Sequence, residues 1–151
     1  MKMVKSLVVG SAATLVAMVT VTAVRAAETL VEPGQWKVTS SNVINGMATP
    51  PQAKARCITP QQAEDVAKTF GPVSNTINSD CADPGIEISG KTLSWRLQCR
   101  GQLDADVAAR FNFDTPQHYT ATITFQGRMG GALINDTKTE VVGERIGDCV
   151  Q

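Results

Sequence analysis

The sequence predicts an all-β domain with one short helix. About seven strands form an antiparallel meander, curled into a small sandwich or partly closed barrel. Three observations carry that reading. Residues 107–113 and 119–125 alternate side chains with period two, as strands with one dry and one wet face do. Residues 81–99 read as one β-hairpin with a cysteine at each end. The four cysteines follow an N-terminal stretch of export type, so they are most simply two disulfides stapling a small domain.

The hairpin is the clearest local signal. Ile86 and Ile88 alternate on the way in, and Leu93, Trp95 and Leu97 on the way out. Gly90-Lys91 between them fits a two-residue turn with glycine first, which supplies the positive φ of a type II′ turn. That register pairs Ile88 with Leu93 and Ile86 with Trp95, turning both apolar sets to one face. It also sets Ala82, not Cys81, opposite Cys99, so a Cys81–Cys99 bridge requires a kink, for which Pro84 is suited. Of the three possible pairings this one is preferred, and Cys57–Cys149 then follows by elimination, tying the C-terminus to an early strand.

Residues 1–26 read as a signal peptide and 27–151 as a single disulfide-bonded β domain. Lys2 and Lys5 precede an uncharged stretch, Ser6 to Val24, and Val24-Arg25-Ala26 ends it with cleavage predicted after Ala26. A retained anchor is the alternative, since the stretch is 19 residues long and Arg25 sits beside the cut. Lys2, Lys5 and Arg25 fall inside the signal, which leaves 11 basic against 14 acidic residues and a net charge of −3. A mildly acidic domain without a basic run is a poor partner for nucleic acid or anionic membranes.

In chain order, residues 27–33 read as a loose lead-in, and Gly34 to Asn45 as a first strand with Trp36, Val38 and Ser40 on one face. Gly46 to Pro51 is a loop punctuated by Pro50-Pro51. Gln52 to Ile58 is a second strand with Ala53, Ala55 and Cys57 inward and Lys54 and Arg56 outward. The single helix starts at Thr59, with Pro60 at its first position and Gln62 completing a capping box. Ala63, Val66, Ala67 and Phe70 recur at helical spacing before Gly71-Pro72 stops it. Residues 73–80 are loop. After the hairpin, strands containing Val107, Ala109, Phe111 and Phe113, then Tyr119, Ala121, Ile123 and Phe125, flank a turn at Asp114 to Gln117. A loop with Gly127, Gly130 and Gly131 leads to a last strand, about Leu133 to Gly143.

Chemistry-bearing residues are sparse. His118 is the only histidine, and it sits beside a turn, so histidine zinc sites and Ser-His-Asp arrangements have little to draw on. The cysteine gaps of 24, 18 and 50 residues contain no Cys-x-x-Cys pair, which argues against a zinc ribbon or a thioredoxin-like centre. No catalytic residue, metal or cofactor is expected. Asp104 and Asp106 would share one strand face, a pair that suits Ca²⁺ binding, acid–base work or, more plainly, a solvated strand end. Gly127 to Gly131 lacks the Lys-Ser/Thr ending and following helix of a phosphate loop. Asp136, Lys138 and Glu140 form a charged strand face that discourages edge aggregation. Trp36 and Trp95 are the candidate ligand-binding residues, against the plainer reading that both are core.

Pro33-Gly34-Gln35-Trp36, a Pro-Pro loop followed by Arg56-Cys57-Ile58-Thr59-Pro60, Gly90-Lys91-Thr92-Leu93-Ser94-Trp95 with Cys99, and Arg145-Ile146-Gly147-Asp148-Cys149 occur in that order. Together they resemble the family of small exported bacterial proteins called domain of unknown function 3617, from Pro33 to Cys149. The resemblance implies a Gram-negative periplasmic protein and carries no established activity or site. One departure is the scarcity of methionine, with only Met47 and Met129 in the early loop and late strands.

The leading functional reading is a periplasmic, non-enzymatic binding or accessory protein holding an apolar small molecule or a cell-envelope partner. Small curved sheets with mixed interiors suit ligands. The alternatives are a hydrolase-type enzyme using Asp104 and Asp106, and a structural envelope protein acting through a sheet edge. No nucleic-acid partner and no stable membrane insertion after signal cleavage are expected. Sequence leaves the oligomeric state open.

Overall fold

A computed structural model describes residues 29–73 and 79–150. The expected signal peptide and its cut after Ala26 lie outside the described residues, as does the middle of the 73–80 loop. In chain order the elements are β1 (Gly34–Ile44), β2 (Met47–Ala48), β3 (Gln52–Ile58), α1 (Pro60–Glu64), α2 (Val66–Phe70), β4 (Ser79–Cys81), β5 (Glu87–Ser89), β6 (Thr92–Gly101), β7 (Asp104–Thr115), β8 (His118–Met129) and β9 (Ala132–Gly147).

The strands make one antiparallel sheet with the path β2-β1-β9-β8-β7-β6-β4. At one edge β2 and β3 pair with successive stretches of β1, and at the other β4 and β5 share β6. The sheet is therefore as wide as the seven strands expected, although nine are present. It is open, with the two helices lying across its inner face. From β6 to β9 it is a plain meander, but β1 pairs with β9, so the first long strand lies against the last.

The period-two patterns translate directly into core. Leu93, Trp95 and Leu97 of β6, Ala105, Ala109, Phe111 and Phe113 of β7, and Tyr119 and Ala121 of β8 are all buried, along with Trp36. Across this face the ring of Phe70, from the last position of α2, packs edge-on against Phe111, Phe113 and Tyr119 at 5.1–5.3 Å between centroids. Such edge-to-face contacts add to the burial of the rings themselves.

The turn at Gly90 forms as expected, with φ of 55° and the Ile88–Leu93 pair in place. Both disulfides, Cys81–Cys99 and Cys57–Cys149, are the expected ones. The kink is there too: between the Cys81–Cys99 and Glu87–Ser94 pairs, five residues run opposite four.

Other expectations need correction. Ile86 lies outside β5, and both Ile86 and Ile88 are exposed, because this short strand forms the sheet's edge. On β3 the faces are reversed. Arg56 stands opposite Trp36 and Ile58 is buried, whereas Ala53, Ala55 and Cys57 are exposed. Alanine fits either face, and the Cys57 bridge forms on the outer side. The expected single helix is two: Thr59 makes the capping box, but Asp65 leaves helical geometry (φ −104°, ψ 70°) and its carboxylate caps α2 through the Lys68 amide. The expected loop at residues 46–51 contains β2, joined to β1 by Asn45-Gly46 with both φ positive, the signature of a type I′ turn. Ser79 and Asp80 are strand rather than loop, and β8 runs through Gly127 to Met129, so only Gly130-Gly131 turns the chain.

Opening the Cys57–Cys149 bridge with serines should cost about 1 kcal/mol more than opening Cys81–Cys99, because its loop of 92 residues exceeds one of 18. Urea unfolding of the two double variants measures the difference. At Gly143, which faces Tyr119 across β8 and β9, an added Cβ would enter the phenol ring. Gly143→Ala should lower stability by about 1–3 kcal/mol in the same assay.

Candidate functional site

A mostly apolar cleft lies between three segments far apart in the chain. One wall is the lead-in (Thr29, Leu30, Val31 and Pro33), the second is the helix pair (Pro60, Ala63, Val66 and Ala67), and the third is Ile88 on β5. Its volume is about 520 Å³, within the range of small-molecule sites, and Glu64 and Asp65 supply charge at its lip.

The lead-in is not loose over its described part. The Glu32 amide donates to the Pro116 carbonyl at 2.8 Å, the Gln117 side chain donates to the Glu32 carboxylate at 3.0 Å, and Arg145 Nε donates to the Pro33 carbonyl at 2.8 Å. Arg145 also pairs with Asp148 at 2.7 Å. A Cβ at Gly34 would collide with the Arg145 guanidinium and the Gly147 carbonyl. The Pro-Gly-Gln-Trp and Arg-Ile-Gly-Asp-Cys stretches are thus two halves of one latch. Val31, held by it, is fully buried.

Trp36 and Trp95 do not line the cleft; each anchors one of its walls. Trp36 Nε1 donates to the Glu32 carbonyl at 3.1 Å, which holds the lead-in. Trp95 Nε1 donates to the Phe70 carbonyl at 2.8 Å, which holds the end of α2. Both indoles are buried, so these bonds replace ones to water. Arg56 adds to the second wall, reaching the Thr69 carbonyl at 3.3 Å with its guanidinium 5.7 Å from the Phe70 ring.

The two aspartates are engaged separately on the outer face. Asp104 accepts from the Gly101 amide at 3.2 Å across the β6–β7 turn. Asp106 accepts from Arg100 at 2.9 Å and from Gln98 at 3.0 Å, with Arg128 at 3.6 Å. The Arg100 hydrogen bond, followed by that of Gln98, holds the Asp106 carboxyl below the usual carboxylate range. A group so held stays ionised at neutral pH, which suits a fixed ion pair better than proton transfer. Asp106 borders a hollow of about 410 Å³ with Arg96, Gln126 and Asp136, and Asp104 is not part of it.

His118 is half-exposed at the start of β8, with Nδ1 2.7 Å from the Asp114 carboxylate. Among the described residues no group of three or more His, Cys, Asp or Glu could hold a metal ion, and no helix is long and apolar enough to cross a membrane. Sequence reasoning singled out none of the cleft-lining residues as a site, Leu30, Val31 and Ile88 among them. The Leu30-Val31 pair, one residue ahead of Pro33-Gly34, was the available signal for the first two.

Asp106, with its carboxyl pulled down, contributes stability that is present above the unfolded carboxylate pKa of about 4 and is lost as pH falls through its lower folded value. Its side chain is partly exposed, so the contribution is at most about 1 kcal/mol. Thermal melts between about pH 5 and pH 2 should therefore fall less steeply for Asp106→Asn than for the native chain.

No curated protein and no solved structure matches the chain. Among protein families, residues 31–149 match one described as a protein of unknown function, DUF3617. That span begins at the buried Val31 of the lead-in and ends at Cys149, so it takes in both halves of the Arg145 latch and both disulfides. The chain belongs to the DUF3617 family.

Proposed function

We propose that the protein is a periplasmic, non-enzymatic binding module that holds an apolar small molecule in the cleft between the lead-in, the helix pair and Ile88. The observation that carries this reading is the cleft itself, about 520 Å³ and lined mostly by Leu30, Val31, Pro33, Pro60, Ala63, Val66, Ala67 and Ile88. A predominantly apolar hollow with a few polar groups at its lip is the general form of a small-molecule site. The two disulfides fit an oxidising, extracytoplasmic compartment.

The roles divide by position. Apolar walls take the ligand out of water, Glu64 and Asp65 at the lip orient any polar end, and Trp36 and Trp95 keep the walls in place from behind. Asp65 is occupied in capping α2 through the Lys68 amide, and the mostly apolar walls favour retention of a ligand over its conversion.

Native mass spectrometry of the mature protein, purified gently from periplasm, should show an added mass that disappears on denaturation. Titration with a hydrophobic dye should saturate. Ile88→Asp, at an exposed cleft position, should weaken dye binding by about tenfold or more while leaving the melting temperature nearly unchanged. A dye that never saturates, or one that binds Ile88→Asp as well as the native chain, would rule the cleft out.

A further inference from the structure

The cleft between the lead-in, the helix pair and Ile88 carries charge of one sign. Of the residues that line it only Glu64 and Asp65 are ionisable, and both are acidic. They do not share a role. Asp65 accepts from the Lys68 amide at 3.0 Å as the cap of α2. Glu64, the last residue of α1, is exposed and makes no hydrogen bond or ion pair with any described residue. Its carboxylate is the free charge of the lip.

The neighbouring cations are committed elsewhere. Arg56 and Lys68 line a separate hollow on the other side of Asp65, and Arg56 donates to the Thr69 carbonyl there at 3.3 Å. On the lead-in side Arg145 Nε holds the Pro33 carbonyl. Its guanidinium is matched by the carboxylates of Asp148 at 2.7 Å and Glu32 at 3.9 Å. Next to Ile88, Glu87 belongs to the other face of β5, where it shares a hollow with Arg110. Among the described residues no Lys, Arg or His lines the cleft.

A molecule seated here meets two demands at once. Its body lies against Leu30, Val31 and Ile88, so it must be apolar to take the place of water. Its polar end lies at a lip with two carboxylates, which repel an anion and attract a cation. Asp65 adds to the field, and Glu64 is the group free to pair. We infer that the cleft selects cationic amphiphiles, molecules with an apolar body and one ammonium end seated against Glu64. The inference rests on the cleft being the binding site and adds the sign of the ligand's charge.

The test is displacement of the neutral dye Nile red from the disulfide-intact mature protein. Three probes share one alkyl chain and differ only in the head: decyltrimethylammonium, decyl maltoside and decyl sulfate, each kept below its micelle concentration. At low salt the cationic probe should displace the dye at a concentration about fivefold or more below that of the anionic one, with the neutral probe between them. Added salt should narrow the gap. Glu64→Gln should narrow it by about twofold or more and leave decyl maltoside unaffected. Glu87→Gln removes the same charge from an exposed site outside the cleft, and should leave the ranking as it is. Circular dichroism confirms that both variants fold. Equal displacement by the three probes, or preference for the sulfate, overturns the inference while the cleft stands as a site for uncharged molecules. An equal narrowing in Glu87→Gln also overturns it, assigning the preference to the overall charge of the chain. If no probe displaces the dye and Ile88→Asp binds it as well as the native chain, the cleft is not the site and both readings fall together.

Discussion

Everything on the inner face depends on Phe70. A single open sheet must bury one side, and here ten residues in two short helices are available to do it. One aromatic ring set edge-on into Phe111, Phe113 and Tyr119 closes the centre of that side. Its backbone carbonyl is bound by Trp95 and its ring lies against the Arg56 guanidinium, so both the backbone and the ring of Phe70 are held. The helices that carry Phe70 also form the second wall of the cleft, and the same residue that completes the core therefore sets the cleft's shape.

The break at Asp65 belongs to this arrangement. A continuous helix from Pro60 would carry its apolar stripe straight on, whereas the cap at Asp65 restarts the helix and points Val66 and Phe70 into the sheet. Aspartate is the residue type for such a restart, since its carboxylate competes for backbone amides that a continuing helix would use.

How far the sequence could be read follows the range of each interaction. The β7 and β8 strands were legible because one face is dry and the other wet, and alternation reports that directly. The Gly90 turn, the capping box and the Cys81–Cys99 bridge were legible because each is a local pattern or nearly so, and the Cys57–Cys149 bridge followed from the second by elimination. The faces of β3 were not, because Ala53 and Ala55 carry no preference and the decisive Cys57 partner lies 92 residues away. Asn45-Gly46 was a local turn signal that the Pro50-Pro51 punctuation obscured. The cleft was the least legible feature, since Pro33 meets Arg145 across 112 residues and Ile88 joins from a third segment. No window of sequence contains such a site.

The pairing of β1 with β9 has a consequence for the order of events as the chain is made. The β6–β9 meander consists of neighbours and needs only short loops to close. By contrast, β1, with β2 and β3 attached to it, has its only route into the sheet through residues 137–147. Until those residues are available β1, β2 and β3 have no partner in the rest of the sheet, and the Cys57–Cys149 bridge has no second sulfur. Completion of this sheet therefore waits on β9: docking of β1 onto it, followed by the covalent bond between Cys57 and Cys149 that locks the two together.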